Sequence, residues 1–496
     1  MSFNRFLSLS VLVLVVLTVS CKTGLLSGGE TGEIPVQPSA PPPPLVVDGV
    51  RTSYADVVEK TSSAVVRIEA EQRNRPPQAQ QPQPQSPFDE FFRQLPSPRG
   101  GQRPPVERGM GSGVIVSADG TILTNAHVID GADSITVLMN DNKTFEAKLV
   151  GLDKPSDLAV LKIEAQNMPF LTLGNSDSVR VGDIVLAIGN PLGIGQTVTA
   201  GIISAKGRRT GLSDGSFEDF LQTDAPINRG NSGGALVNLN AELIGINSQI
   251  LSTSGGNIGI GFSIPSNMAK SVMEQLLSNG KVRRGMLGVN IQNITGDTAR
   301  ALDLKDSAGV LVSNVRPGSA AEKAGVKRGD IITAVNGDKI DDGNVLRNKV
   351  AGTLPGTEIK LTILRDGTSQ DLTATLDEFD TETSSVAPMQ NNENNAPERS
   401  APGGKLGLTL QPITPQIAKQ FGSGTETEGL VVLEVDPNGV AADAGISRGD
   451  FLLEVNRQPV TTPEAVESAL QNAGAKPVLL LVSRKGSTIF MTVRPR

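Results

Sequence analysis

The last third of the chain is written twice. Ala324-Gly325-Val326-Lys327-Arg328-Gly329-Asp330 recurs 120 residues later as Ala444-Gly445-Ile446-Ser447-Arg448-Gly449-Asp450. Val335-Asn336-Gly337 returns as Val455-Asn456-Arg457 at the same spacing, and Leu287-Gly288-Val289 as Leu406-Gly407-Leu408 at 119. A spacing kept to within one residue over three anchors means two copies of one folded unit. The copies are expected at residues 281–378 and 403–496, joined by a Ser/Asn/Glu/Pro-rich linker at 379–402. A chain of 496 residues needs more than one core in any case.

Ahead of the repeat, residues 51–280 read as closely spaced short strands. The clearest are Ala64-Val65-Val66-Arg67-Ile68, Gly113-Val114-Ile115-Val116, Ser134-Ile135-Thr136-Val137-Leu138, Leu158-Ala159-Val160-Leu161-Lys162-Ile163 and Ile184-Val185-Leu186-Ala187-Ile188. Such strands, punctuated by Gly, Asn and Asp, predict an all-β barrel or sandwich. Apolar residues at helical spacing predict one helix from Met268 to Leu277. Residues 73–108 are Pro- and Gln-rich, cannot pack a core and read as a long loop. An apolar island within it, Phe88-Asp89-Glu90-Phe91-Phe92, is either a local helix without a role or a docking element.

At the start, Arg5 precedes an apolar run over residues 6–19 that is too short to span a bilayer, so residues 1–20 read as a secretory signal. Leu17-Thr18-Val19-Ser20-Cys21 resembles a bacterial lipobox, which implies acylation of Cys21, although Thr18 stands where the usual pattern has Leu. The alternative is an ordinary signal peptide with an incidental Cys. Residues 21–50, with Pro41-Pro42-Pro43-Pro44, then read as a flexible and stiff spacer from a membrane.

Composition closes several routes. One His and one Cys argue against a structural zinc site, and one Cys cannot make an internal disulfide. A net charge of -7 without a basic stripe argues against a nucleic-acid partner. No metal or other cofactor is expected. Gly109-Met110-Gly111-Ser112-Gly113 leads into a strand rather than a helix, so it is no phosphate cradle.

That single His lies in Thr124-Asn125-Ala126-His127-Val128-Ile129. Asp157 follows in Ser156-Asp157-Leu158-Ala159-Val160-Leu161, and Ser232 in Gly230-Asn231-Ser232-Gly233-Gly234-Ala235-Leu236. A serine hydroxyl is a weak nucleophile until a neutral imidazole takes its proton and a carboxylate orients that imidazole. The chain order His, Asp, Ser is that of chymotrypsin-type enzymes. Gly230 can aim its N–H, beside that of Ser232, at a developing oxyanion.

These three segments resemble those of the HtrA (DegP/Do-like) serine proteases. Ile188-Gly189-Asn190-Pro191-Leu192-Gly193 and Gly259-Ile260-Gly261-Phe262-Ser263-Ile264-Pro265 add to the likeness, which runs from Tyr54 to Arg496. It implies a mostly β chain: a trypsin-like double β-barrel followed by two PDZ domains. It implies His127 as base, Asp157 as its orienter, Ser232 as nucleophile, and Gly230 with Ser232 as oxyanion hole. It also implies a pocket from Ile227, Ile258, Ile260 and Phe262 for small aliphatic residues such as Val or Ala. Residues 73–108 fall where the family has a regulatory loop. Arg209 falls where an activation-sensing Arg lies, or is a solvated charge beside Arg208.

Each repeat opens on an alternating strand. Met286-Leu287-Gly288-Val289 and Lys405-Leu406-Gly407-Leu408 resemble the carboxylate-binding loops of PDZ domains, whose consecutive N–H groups receive a peptide C-terminus. Thr462-Pro463 predicts a helix start, with Val466 and Leu470 on one face. The resemblance thus implies an ATP-independent endopeptidase that degrades misfolded proteins in the periplasm or cell envelope, as a homotrimer or multiples of it, binding apolar C-terminal peptides. The rival reading is a peptide-binding chaperone or scaffold with incidental proteolysis.

Overall fold

The computed structural model describes residues 46–47, 50–73, 106–191, 195–210, 217–228, 230–252, 256–379, 405–414, 416–417, 428–474 and 476–494. The signal segment, Cys21 and the Phe88–Phe92 island lie outside them. In the N-terminal unit, residues 1–53, the described part is a small antiparallel pair, Val46–Val47 against Val50–Arg51.

From Tyr54 onward the chain forms a second unit that opens with two closed six-stranded barrels. The first runs Val65–Arg73, Val106–Ser117, Thr121–Thr124, Leu158–Ile163, Thr144–Asp153 and Ser134–Leu138, back to the start. Pairing of the first two strands reaches Arg73 opposite Val106, so strand takes both ends of the stretch read as loop from 73 to 108. The second barrel runs Thr197–Arg208, Phe220–Thr223, Gly261–Pro265, Leu243–Ile250, Ala235–Val237 and Ile184–Gly189.

Period-two alternation explains why such apolar strands are needed. Along Leu158–Ile163, Ala159, Leu161 and Ile163 fill the first barrel, while Leu158 and Val160 point into the seam between barrels. Along Ile184–Gly189, Val185 and Ala187 fill the second barrel and Leu186 and Ile188 face the same seam. Both faces are dry, so the strands read as continuous apolar runs. The helix Ser266–Asn279 lays Ala269, Val272 and Leu276 on that seam and ends at Gly280 in the left-handed conformation.

The two repeats fold alike. In the first, Val289–Asn293, Val310–Val315, Ile331–Val335, Glu358–Arg365 and Thr368–Thr375 form a sheet in that order. Leu408–Pro412, Leu430–Val435, Phe451–Val455, Val478–Arg484 and Ser487–Val493 do so in the second. Helices Gly343–Ala351 and Pro463–Ala473 occupy matching places. The second starts as its sequence predicts: Thr462 accepts from the Ala465 N–H at 3.3 Å, and Val466 and Leu470 are buried. The copies share an apolar layer in which Ile294, Leu311 and Ile331 meet Leu479, Leu481 and Phe490. Gln292 exchanges two hydrogen bonds with the Phe490 backbone, at 3.0 and 2.7 Å.

The first repeat also touches the barrels. Asn344 and Asn348 donate to the Glu218 carbonyl at 2.9 and 2.7 Å. Beside them lies a cavity of about 710 Å³ lined by Phe217, Leu221, Met268, Val272, Val345 and Asp219. The Asp219 carboxyl is raised to about 6, first by burial and then by Asp177 and Asp342, with Lys206 opposing. A raised carboxyl gives stability that is present below pH 3.8 and is lost as pH climbs through 6. Above that pH the ionised, half-buried group costs about 2 kcal/mol after solvent screening. Asp219→Asn is therefore expected to raise the melting temperature at pH 7.5 and to flatten its decline between pH 4 and 6 in calorimetry. An unchanged pH profile would contradict the assignment.

Candidate active site

Three segments converge on the seam. His127 sits in the short helix Ala126–Ile129, whose preceding residue, Asn125, is fully buried and donates its side-chain amide to the Asp157 carbonyl at 3.0 Å. Asp157 follows the turn Lys154–Ser156 in the left-handed region, at φ 52 and ψ 43. Its carboxylate accepts three donors: His127 Nδ1 at 2.9 Å, the His127 backbone N–H at 3.0 Å, and Ser248 Oγ at 2.8 Å. With a carboxylate at Nδ1, that nitrogen carries the proton and Nε2 holds the basic lone pair.

Ser232 stands on the turn before Ala235–Val237, nearly buried, and its hydroxyl donates to the Ser248 carbonyl at 2.9 Å. Ser248 thus touches both carboxylate and serine, and nothing in the sequence marked it. Ser112 was also missed as a site residue. Its N–H donates to the Ser232 carbonyl at 2.8 Å, and its hydroxyl donates to the Gly230 carbonyl at 2.5 Å while accepting from the Asn190 N–H at 2.8 Å. These bonds pin the serine loop at both ends. A glycine is required at 233, where φ is 82 and a Cβ would collide with the Ser112 carbonyl and Thr124 Oγ1. Among the described residues, the N–H groups of Gly230 and Ser232 donate to no protein group, and the Gly230 φ is 92.

The four pocket candidates do not share one core. Ile227 is buried in the second barrel, its Cδ1 lying over Gly261. Ile260 and Phe262 face the seam, where the Phe262 ring lies 5.7 Å from that of Phe220, and Ile258 is 55% exposed. Arg209 is exposed, and its charge reaches Arg347 on the helix of the first repeat. Burial first and Arg209 second push the Arg347 guanidinium pKa down.

The two loops of the repeats coincide in detail. The Leu287 carbonyl accepts from Ala321 N–H at 2.8 Å and that of Leu406 from Ala441 N–H at 3.3 Å. Those of Gly288 and Gly407 accept from Arg316 and Asp436 at 2.9 and 2.8 Å. Leu287 and Leu406 are buried, Val289 and Leu408 begin the edge strands, Met286 pairs with Asp377, and Lys405 is exposed. Among the described residues, the N–H groups of Leu287, Gly288, Leu406 and Gly407 donate to no protein group.

Two barrels with a His–Asp pair on one and a glycine-flanked serine on the other, followed by two copies of a peptide-groove sheet, define a trypsin-like serine endopeptidase with tandem PDZ domains. Comparison with known families agrees: a trypsin-like peptidase domain matches residues 111–246, and PDZ domains match 285–376 and 431–484. The "Probable periplasmic serine endoprotease DegP-like" of Chlamydia trachomatis serovar D is 44% identical over 410 residues, covering 82% of this chain and 79% of the relative. That of Chlamydia pneumoniae is 38% identical over 482 residues, 95% of each. Among solved structures, the "HtrA-type protease AlgW with tripeptide" is 42% identical with a TM-score of 0.54, covering 66% of this chain and 98% of that one. The chain belongs to the HtrA family of DegP-like periplasmic serine endoproteases.

Proposed function

We propose that Ser232 is the acylated nucleophile of an endopeptidase that degrades unfolded proteins in the periplasm without ATP. The observation that carries this reading is that His127 and Ser232 are tied to one carboxylate, His127 directly and Ser232 through Ser248. The Ser232 hydroxyl swings from the Ser248 carbonyl to His127 Nε2 and attacks the scissile carbonyl as Nε2 takes its proton. The Gly230 and Ser232 N–H groups donate to the oxyanion that forms. Collapse expels the amine, which receives the proton from His127, and water then hydrolyses the ester by the same steps. Ile227, Ile258, Ile260 and Phe262 would shape the pocket for small aliphatic residues, and Arg209 would report on the first PDZ helix.

The loops at Leu287–Gly288 and Leu406–Gly407 would receive apolar peptides by their free carboxylate, supported by their unpaired N–H groups. Residues 1–20 as signal, Cys21 as lipid anchor, a tether to 50, a peptidase domain at 51–280, PDZ domains at 281–378 and 403–496, and trimers or multiples of them complete the reading. A fluorophosphonate probe tests its core: mass spectrometry is expected to find the label on Ser232, in proportion to lost casein cleavage. Full cleavage with Ser232 labelled, or labelling elsewhere, would defeat it.

A further inference from the structure

We propose that Arg284, at the entry to the first PDZ domain, is a positioning residue for the peptidase site. It holds the turn from which Asp157 projects, and the proposal rests on reading Asp157 as the carboxylate that orients His127. Asp153 caps that turn: its carboxylate accepts the Ser156 N–H at 3.0 Å and also the Ser156 hydroxyl. Arg284 closes a fork on Asp153, with Nη1 at 2.8 Å and Nη2 on the second oxygen, and Nη2 also reaches Ser156 Oγ at 3.0 Å. Asp153 and Arg284 are only 6% and 7% exposed.

The next residue is Asp157 itself, in a backbone conformation that L-residues with a Cβ enter only against a penalty. The turn must therefore be held from outside. On one side the Phe217 N–H donates to the Pro155 carbonyl at 2.7 Å, and the Phe217 ring lies 4.5 Å under the Arg284 guanidinium. On the other, Arg284 is anchored in the PDZ frame: its carbonyl accepts the Phe379 N–H at 2.8 Å, and strand Gly285–Met286 pairs with Asp377–Glu378 directly after it. Without the fork, Asp153 is a buried, unpaired carboxylate that must turn toward water. The cap is then lost and Asp157 moves off the imidazole, although Arg284 touches no reacting atom.

The chain holds one His, so the Nδ1–H resonance of full-length, histidine-labelled protein reports His127 alone. In Arg284→Ala that resonance is expected to lose its hydrogen-bonded shift. Turnover of a short chromogenic peptide should fall about 100-fold, as for an ångström-scale misplacement, with KM near the wild-type value. Arg284→Lys keeps the charge without the fork and should recover only part of both. Arg283→Ala, which removes the neighbouring exposed pair with Glu378 at 3.0 and 2.8 Å, should leave both unchanged. Wild-type turnover and resonance in Arg284→Ala, or an equal loss in Arg283→Ala, overturns the proposal. Should the alanine variant not fold, an unchanged Arg284→Lys overturns it instead. Cleavage surviving in Ser232→Ala would sink the triad reading, whereas an inert Ser232→Ala beside a normal Arg284→Ala sinks only this inference.

Discussion

Ser232→Ala is expected to lower casein cleavage by about 10⁶-fold, the scale seen when the nucleophile of a triad is removed. The fold should survive, because the lost hydroxyl makes one hydrogen bond among the described residues, to the Ser248 carbonyl at 2.9 Å, at a cost of about 1 kcal/mol. The backbone that places the loop stays intact: the Ser232 carbonyl still accepts from Ser112, and the Gly233 N–H still donates to the Asn247 carbonyl at 2.7 Å. Binding of unfolded substrate should therefore persist while turnover vanishes. That combination assigns the cleavage to Ser232 and the binding to other groups. Cleavage retained above one per cent in the alanine variant, with melting temperature unchanged, would remove Ser232 from the chemistry.

What could be read beforehand follows a physical divide between local and distant determinants. Strands Ser134–Leu138 and Leu158–Ile163 were bounded correctly because their apolar residues are consecutive or alternating and turn residues flank them. The repeat was legible because its glycines recur in register at loops that need them. Thr144–Asp153 and Thr197–Arg208 carried no such signal. Both are mostly exposed or half-buried, so polar residues interrupt their alternation, and their pairing is set by neighbours elsewhere in the barrels.

The same divide runs through the site. His127, Asp157 and Ser232 stand out because their segments are unusual in themselves. Ser112, Ser248 and Arg284 do not. A serine inside a strand or an arginine at a domain entry is ordinary, and these three acquire a role only from partners 118, 91 and 131 residues away. The charge arithmetic gave no help either: the Arg284–Asp153 pair is neutral as a pair and vanishes into the net balance.

The second large effect belongs to the first PDZ loop. Gly288→Val is expected to weaken binding of an apolar-ended peptide by at least about 100-fold, because the groove reads its ligand through backbone N–H groups. Gly288 has φ 80, and a Cβ there would overlap that of Ser319 and stand 2.9 Å from its Oγ. A β-branched residue in the left-handed region adds about 1–2 kcal/mol of strain. Ser319 cannot simply yield, since its hydroxyl caps the helix Ala320–Lys323 by accepting from the Glu322 N–H at 3.3 Å. The loop must move instead, and the Leu287 and Gly288 N–H groups move with it. Gly407→Val should be milder, as the nearest approach there is 2.9 Å to the Asp436 Cβ. Fluorescence titration of wild type with matched free-acid and amidated peptides supplies the decision. Strong preference for the free acid, lost in Gly288→Val and largely kept in Gly407→Val, is the expected pattern. Equal affinity for both peptides in wild type would mean that no carboxylate is read at Leu287–Gly288.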